Sequence, residues 1–174
     1  MKTILLGALN AATDPGQIGN RPSRLPLWLQ PPLGHLQSLA LLGARLYAAQ
    51  VFFLSGLTKL RDWSITLALF EDEYQVPLLS PELAATLGTA GELVLPVLLV
   101  LGLATRFAAL GLSVVNVMAV LSLAEIAPAA LAGHQLWGVL LVGVALWGAG
   151  RWSVDALMSR RRAAPEPTRP PREP

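Results

Sequence analysis

Four apolar stretches of about 20 residues each fill the middle of this chain, at residues 39–60, 81–102, 105–127 and 131–150. A helix rises about 1.5 Å per residue, so each stretch is long enough to cross the ~30 Å hydrocarbon core of a bilayer. The few charged residues in or beside these stretches are costly to bury in lipid, and they are therefore the first candidates for function. The pattern predicts a membrane-spanning, all-α protein.

Composition supports the same interpretation and excludes several classes of protein. Only 14% of the residues are charged and 53% are hydrophobic, whereas about 25% are charged in an ordinary soluble domain. The chain has no cysteine, which excludes disulfides, iron–sulfur ligation and thiolate zinc sites. The net charge is only +2 and the arginines concentrate near the ends of the chain, so nucleic-acid binding is not expected.

The linking segments divide the chain into three parts. We expect an N-terminal lead and interfacial segment over residues 1–37, with Trp28 at headgroup level, and a transmembrane domain over residues 38–156. A basic, proline-rich tail, expected to be disordered, covers residues 157–174. Residues 63–74 are apolar on one side but too short to span, which favours an interfacial or re-entrant helix. The very short link at residues 102–105 predicts a helical hairpin, and the whole domain is expected to be an antiparallel four-helix bundle.

The distribution of basic residues predicts the orientation in the membrane. Two of them, Lys59 and Arg61, flank the first link, whereas eight lie on the other side of the predicted bundle: Lys2, Arg21, Arg24, Arg106, Arg151 and Arg160–Arg162. Basic residues are enriched on the cytoplasmic side of membrane proteins. Both termini are therefore predicted to be cytoplasmic.

A predicted ion pair between the first two spans forms the centre of the candidate site. Arg45, Gly56 and Lys59 share one face of the first span, and a stripe of small residues on the second span flanks Glu92. Counting from the span ends puts Arg45 and Glu92 within roughly 6 Å of each other along the membrane normal. Glu92 could pair with Arg45, or it could be protonated and donate a hydrogen bond. The pair could simply hold two helices together, or it could be a proton or ligand site, so we predict Glu92 and Arg45 as candidate catalytic residues.

Four further residues are candidates for binding a substrate or cofactor. Lys59 and Tyr74 are expected at the outer rim, Asn116 at the depth of Glu92, and Arg106 at the start of the third span. Asn116 could instead hold two helices together by a hydrogen bond. His134 is interpreted as a polar residue at a helix end, and it lies too far from the other histidine to bind one haem with it. The acidic residues 71–73 are more typical of a solvated loop than of a cation site, and no metal site is predicted.

Three segments resemble the DoxX family. RLYAAQVFFLSGLTKLRDW (residues 45–63) resembles the first-helix signature of that family, with its SGxxKL element. GTAGELVLPVLLVLGLATRFAAL (residues 88–110) resembles the second-helix glutamate and the Gly-x-x-Thr-Arg turn that follows it. GAGRWSVD (residues 148–155) resembles the closing GPGxxSLD-like element, with Ala149 where proline is common.

The resemblance implies a four-helix protein of the bacterial inner membrane, with links to quinone-coupled oxidation, as in the small subunits of thiosulfate:quinone oxidoreductase. It also implies that Arg45, Lys59, Glu92 and Arg106 are recurrent charged positions. The LFEDEYQVPLL insert (residues 69–79) resembles that of a subgroup that often accompanies modified-peptide and metal-stress gene clusters.

Two functions of different classes remain open at this point. The first is an accessory subunit of a quinone-linked membrane oxidoreductase, with a quinone as the candidate cofactor and no haem, flavin or metal signature. The alternative is a membrane scaffold or transport partner for a metal- or peptide-related pathway, without catalysis of its own. Both imply a lipid bilayer and a protein partner or homo-oligomer, and a channel is the least favoured class.

Overall fold

The computed structural model describes residues 30–162, with side chains described from residue 34 to residue 159. Contacts divide the chain into two units, Met1–Gly34 and His35–Pro174. Of the first unit only residues 30–34 are described, all of them helical, so the predicted interfacial segment around Trp28 lies outside the described residues. The described residues contain six helices and no strand: α1 (Gln30–Arg61), α2 (Trp63–Asp72), α3 (Pro81–Leu101), α4 (Thr105–Leu121), α5 (Pro128–Trp147) and α6 (Val154–Arg162).

Helix α1 begins earlier than the predicted span. It starts at Gln30, inside the predicted N-terminal lead and interfacial segment of residues 1–37. Pro31 and Pro32 are tolerated there because N–H groups in the first turn have no partner within the helix. Further along, the face predicted to point inward is buried at Arg45, Phe52 and Gly56.

The short helix predicted between the first two spans is present as α2. Its N-cap is Asp62, whose carboxylate accepts hydrogen bonds from the backbone N–H of Ile65 at 3.1 Å and from the Ser64 hydroxyl at 2.7 Å. The Ser64 bond is the main cause that holds the pKa of the Asp62 carboxyl below its ordinary value. The Thr66 hydroxyl donates to the carbonyl of Lys59 at 2.9 Å and so fixes α2 against the end of α1.

Helices α3 and α4 form the predicted hairpin. Ser80 caps α3 and Pro81 occupies its first turn, whereas Gly102 ends it with φ +66°, a left-handed conformation that favours glycine. The predicted span over residues 105–127 is too long, because α4 ends at Leu121 after 17 residues. The carbonyl of Ser122 accepts a bond from the N–H of Gln75, 2.9 Å away, instead of continuing the helix.

Packing and surface identify a bundle suited to a bilayer. The closest neighbours are α4 with α5, α3 with α4, and α2 with α3. The core contains small and branched side chains together with one aromatic ring: Ala48, Ala49, Phe52, Leu99, Ala108, Ala109, Leu112, Leu141 and Val144. Three helices, α1 from residue 34 onward, α3 and α5, are long and apolar enough to cross a membrane, and α4 is an apolar helix of about 25 Å. Leucines and valines cover the outside of the bundle, as lipid contact requires. The predicted membrane helical bundle is thus confirmed.

Helix α6 follows the bundle. It includes residues 157–162 of the predicted tail, and residues 163–174 lie outside the described residues. We call the end of the bundle that carries α2 the α2 end, and the end that carries the 102–104 turn and α6 the α6 end.

Candidate functional site

An ion pair joins α1 and α3 near the α2 end. The Lys59 ammonium donates to a carboxylate oxygen of Glu92 over 2.6 Å and to the Ser55 hydroxyl over 3.0 Å. The Glu92 side chain is 8% exposed and that of Lys59 is 21% exposed. A carboxylate held so deep in an apolar bundle needs such a partner, because burying a lone charge is very costly.

Gly56 makes the close approach of α1 and α3 possible. A Cβ atom at this position would lie 2.9 Å from Cγ of Leu93 and 3.1 Å from Cβ of Glu92. Real Cβ atoms rarely come so near to other side chains, so a larger residue would push the two helices apart. The SGLTK sequence (residues 55–59) thus supplies the close contact at Gly56 and, one turn later, the cation that pairs with Glu92.

The predicted pairing of Arg45 with Glu92 is wrong. Gly56 of α1 lies beside Glu92, whereas Arg45 lies beside Leu99 and Val100. Glu92 and Leu99 are seven residues apart, which is about 10 Å along α3. The prediction measured depth from the ends of α1 and α3 and assumed that these ends lie at the same height in the membrane. The contacts show that they do not.

Arg45 instead joins three segments at the α6 end. Its guanidinium donates to two carbonyl groups in the last turn of α3, those of Leu99 and Val100, each at 2.8 Å. It also donates to the carbonyl groups of Ala149 and Trp152, after α5. Arg45 is 1% exposed, so this set of four acceptors replaces the water that its charge would otherwise keep. The arrangement fixes the chain rather than forming an open site.

Asp155 completes this structural cluster. Its carboxylate accepts bonds from the backbone N–H of Ala104 and from both the N–H and the hydroxyl of Thr105, at 2.8–2.9 Å, and so caps α4. Burial alone would raise the pKa of Asp155, but these bonds and the nearby charge of Arg45 bring the pKa below its ordinary value. The segment that resembles the DoxX closing element is therefore a cap for the helical hairpin.

Asn116 does not join Glu92 but holds two helices together by hydrogen bonds, as one of its two interpretations predicted. Its amide nitrogen donates to the backbone carbonyl of His134 at 2.9 Å, and its amide oxygen lies 2.8 Å from Nδ1 of the same residue. His134 belongs to the second turn of α5 and contacts the Trp137 ring edge to face, with centroids 4.9 Å apart. His134 is the seventh of the 20 residues of this helix, so it lies about one turn further from the helix end than the predicted span implied. The Asn116 side chain does connect two helices, α4 and α5.

A cavity of about 420 Å³ lies at the α2 end and contains the ion pair. Its wall comes from α1 to α5 and the link after α2, and most of it is apolar. The polar and charged side chains in the wall are Ser55, Lys59, Tyr74, Glu92, Ser122 and His134. Three of the predicted site residues, Lys59, Tyr74 and Glu92, are thus brought together by the fold.

Tyr74 lies in the link after α2. Its ring contacts Phe70 edge to face, with centroids 4.9 Å apart, and lines the cavity. Burial, together with the negative charges of Glu73 and Glu92, raises the pKa of the phenol above its ordinary value. Tyr74 therefore keeps its proton at neutral pH and can act as a hydrogen-bond donor in the cavity.

Two side chains that line the cavity also belong to the outer surface of the bundle. Leu87 of α3 and Val114 of α4 both line it, yet they are 56% and 63% exposed. Because these two side chains lie on apolar helices, this part of the cavity wall borders the region that lipid occupies in a membrane. A molecule dissolved in the bilayer could enter here without passing through water.

Arg106 lies away from this cavity. It is exposed at the α6 end, where its guanidinium makes one long contact of 3.5 Å to the carbonyl of Leu146.

The sequence contained a signal for His134 that was not used: it is an ionisable residue within an apolar stretch, as Glu92 is. In residues 34–159, no three His, Asp or Glu side chains are placed to hold a metal ion.

The helices and this cavity define an integral membrane helical protein with an ionisable centre. Residues 40–125 match the model of the DoxX family, and the chain belongs to that family. The matched region includes Arg45, Lys59 and Glu92, but it ends before α5 and therefore before His134. No curated protein and no solved structure matches the chain.

Proposed function

We propose that this DoxX-family protein is an accessory subunit of a quinone-linked membrane oxidoreductase and that it binds the quinone in the cavity at the α2 end. One observation carries the proposal: the Lys59–Glu92 ion pair lies in the wall of an apolar cavity, and the same wall includes side chains on the lipid-facing surface. A lipid-soluble molecule with a polar head suits this combination, because the head can reach the charges while an apolar tail remains between α3 and α4.

The residues present fit such a ligand. Binding sites for small molecules usually have volumes of about 300–1,000 Å³, and this cavity of about 420 Å³ lies within that range. Val51, Phe52 and Met118 supply apolar contacts for a flat ring, and Lys59 and Tyr74 supply N–H and O–H donors for its oxygen atoms. A bound quinone would supply two-electron, two-proton redox chemistry.

The protein itself would bind the quinone and exchange protons with it. Lys59 would place its ammonium beside an oxygen of the bound ring, and Glu92 would be the carboxyl group that exchanges a proton there. Tyr74, in the link at the α2 end, would lie between the Lys59–Glu92 pair and the membrane surface and could carry protons between them. The electrons come from a partner enzyme, because the sequence has no haem, flavin or metal signature.

We also infer that the protein lies in the bacterial inner membrane with both termini in the cytoplasm, which would place the cavity toward the outer face. The excess of basic residues on the α6 side supports this orientation. The chain has no cysteine, so single cysteines can report on the two ends. Asp72→Cys on α2 should react with a membrane-impermeant maleimide in intact cells, and Ser159→Cys on α6 only after lysis. The opposite labelling pattern would reverse the topology.

The functional test combines isolation with one substitution. Gentle detergent extraction followed by native mass spectrometry should find a quinone and an oxidoreductase subunit bound to the protein. In that complex, Glu92→Gln should preserve folding yet abolish quinone-dependent turnover. Glu82→Gln is the matched control, since Glu82 is exposed in the first turn of the same helix. A folded Glu92→Gln complex with normal turnover would reject the role of Glu92.

The scaffold alternative keeps one supporting observation. The side chains of Glu71, Asp72 and Glu73 are all exposed at the α2 end, where a partner protein could contact them. Replacing all three by their amides should then prevent partner capture while leaving quinone binding intact. If the partner is still captured, these residues are not the contact surface.

A further inference from the structure

We infer that His134 binds the reduced form of the proposed ligand, by accepting a hydrogen bond at Nε2 from a ring hydroxyl group. The inference rests on the proposed quinone site and adds a residue and a redox state to it. His134 belongs to the cavity wall together with Lys59 and Glu92.

The contacts with Asn116 fix which nitrogen of His134 carries the proton. A backbone carbonyl can only accept, so the Asn116 atom 2.9 Å from the His134 carbonyl is the amide nitrogen. The amide oxygen therefore faces Nδ1 at 2.8 Å, and because that oxygen can only accept, Nδ1 must be the donor. In the neutral ring the proton is then on Nδ1, and Nε2 has a lone pair.

The lone pair on Nε2 has no protein donor in the described part of the chain. There, the only buried side-chain polar atoms without a partner are Thr89 Oγ1 and Trp137 Nε1. His134 Nε2 also has no partner but is not among these buried atoms, so it remains accessible. An accessible acceptor in apolar surroundings is favourable only when a donor occupies the site.

The position of Asn116 indicates the direction of the free nitrogen. Asn116 lines a separate apolar groove between α4 and α5 and does not line the cavity, whereas His134 lines both. Asn116, which holds Nδ1, is therefore on the groove side of the ring, and the inference places Nε2 toward the cavity.

This acceptor distinguishes the two redox forms of a quinone. A hydroquinone has O–H groups that can donate to Nε2, whereas an oxidised quinone offers only carbonyl oxygens, which repel a lone pair. The site residues thus differ in role: Lys59 and Tyr74 present donors to the ring oxygens, and His134 presents an acceptor. The chemical class expected at His134 is an aromatic hydroxyl compound.

The proton position can be measured directly. The chain has two histidines, so His35→Gln leaves His134 as the single imidazole. In ¹⁵N-histidine-labelled His35→Gln protein in lipid nanodiscs, two-bond nitrogen–proton couplings at a pH where the ring is neutral should show the proton on Nδ1. A proton on Nε2 would overturn the inference. Asn116→Leu should give a mixture of the two tautomers, and an unchanged single tautomer would overturn the role of Asn116.

Three probes then test the ligand: a decyl-substituted benzohydroquinone kept reduced under argon, the corresponding quinone, and the dimethyl ether of the hydroquinone. The hydroquinone should shift the Nε2 signal and bind about tenfold more tightly than the ether, which has no O–H group. His134→Phe should remove this preference, and His134→Gln, whose amide oxygen can accept, should restore part of it. A preference unchanged in His134→Phe would overturn the inference.

The outcomes separate this inference from the proposed function. If the quinone binds and supports turnover but His134 has no effect, only the inference fails. If the hydroquinone binds through His134 but the isolated complex has no quinone-dependent turnover, only the proposed function fails. If none of the three probes binds, both fail.

Discussion

The ammonium of Lys59 and the carboxylate of Glu92 lie 2.6 Å apart where α1 and α3 pack together. Each residue lies on a helix whose other buried positions are mostly apolar or small, so the pair forms the polar centre of an apolar contact. The same two side chains line the cavity, which links the packing of the bundle to its proposed chemistry.

The ion pair should show strong coupling in a double-mutant cycle. Lys59→Met and Glu92→Leu should each lower the free energy of unfolding by about 1–3 kcal/mol, because each leaves a partly or fully buried charge without its partner. The double variant should lose less free energy of unfolding than the sum of the two single losses. Reversible unfolding in mixed detergent measures this free energy for the native protein, the two single variants and the double variant. Strictly additive losses would mean that the two residues do not interact.

Gly56 should be intolerant of larger side chains. Gly56→Val should lower the free energy of unfolding by about 1–3 kcal/mol, because its Cβ would collide with Leu93 and Glu92. Gly43→Ala is the matched control on the same helix, where an added Cβ meets nothing within 4 Å. It should be neutral or stabilising by up to about 1 kcal/mol. Equal losses in the two variants would contradict the close approach at Gly56.

Arg45 should affect stability and not ligand binding. Arg45→Lys cannot serve the four carbonyl groups that the guanidinium reaches, so we expect a loss of about 1–3 kcal/mol in the free energy of unfolding. Arg106→Lys, at an exposed position, should change it by less than about 0.5 kcal/mol. Isothermal titration with the quinone probe should give the same affinity for both variants. Selective loss of affinity in Arg45→Lys would restore the original prediction that Arg45 belongs to the ligand site.

Asp155 should make the protein sensitive to acid. Its pKa in the folded protein is below the ordinary value of 3.8, so the stabilisation by its carboxylate is fully present above pH 3.8 and is lost as the pH falls through the lower, folded value. Asp155→Asn should therefore have a lower melting temperature than the native protein at neutral pH, and the difference should shrink in acid. Asp72→Asn, at an exposed site, provides the control. A difference that is constant with pH would contradict the carboxylate cap.

Periodicity in the sequence was enough to identify the long apolar helices and their inward faces, whereas α6 lies partly in the segment predicted to be a disordered tail. The positions of Gly56 on α1 and Glu92 on α3 followed from residue spacing within one helix, and both are buried as predicted. The short α2 and the tight hairpin followed from segment length. These features depend on local geometry, which a single sequence contains.

The pairing between helices did not follow from the sequence, for a physical reason. Which residue of α1 lies beside Glu92 depends on how far the two helices are shifted along each other, and helix ends do not fix that shift. Lys59, placed at the rim by its position in the chain, reaches Glu92, whereas Arg45 does not. The pairing of Asn116 with His134 depends in the same way on the relative shift of α4 and α5.

The central claim is that the cavity beside Lys59 and Glu92 binds a quinone, and photolabelling tests it most directly. A tritiated azidoquinone would be irradiated with the full-length protein in nanodiscs, and the modified residues identified by peptide mass spectrometry. We predict labelling at cavity residues such as Leu87, Val114 and Met118, which an excess of unlabelled quinone prevents. Labelling spread evenly over the lipid-facing leucines, unaffected by competitor, would contradict the account.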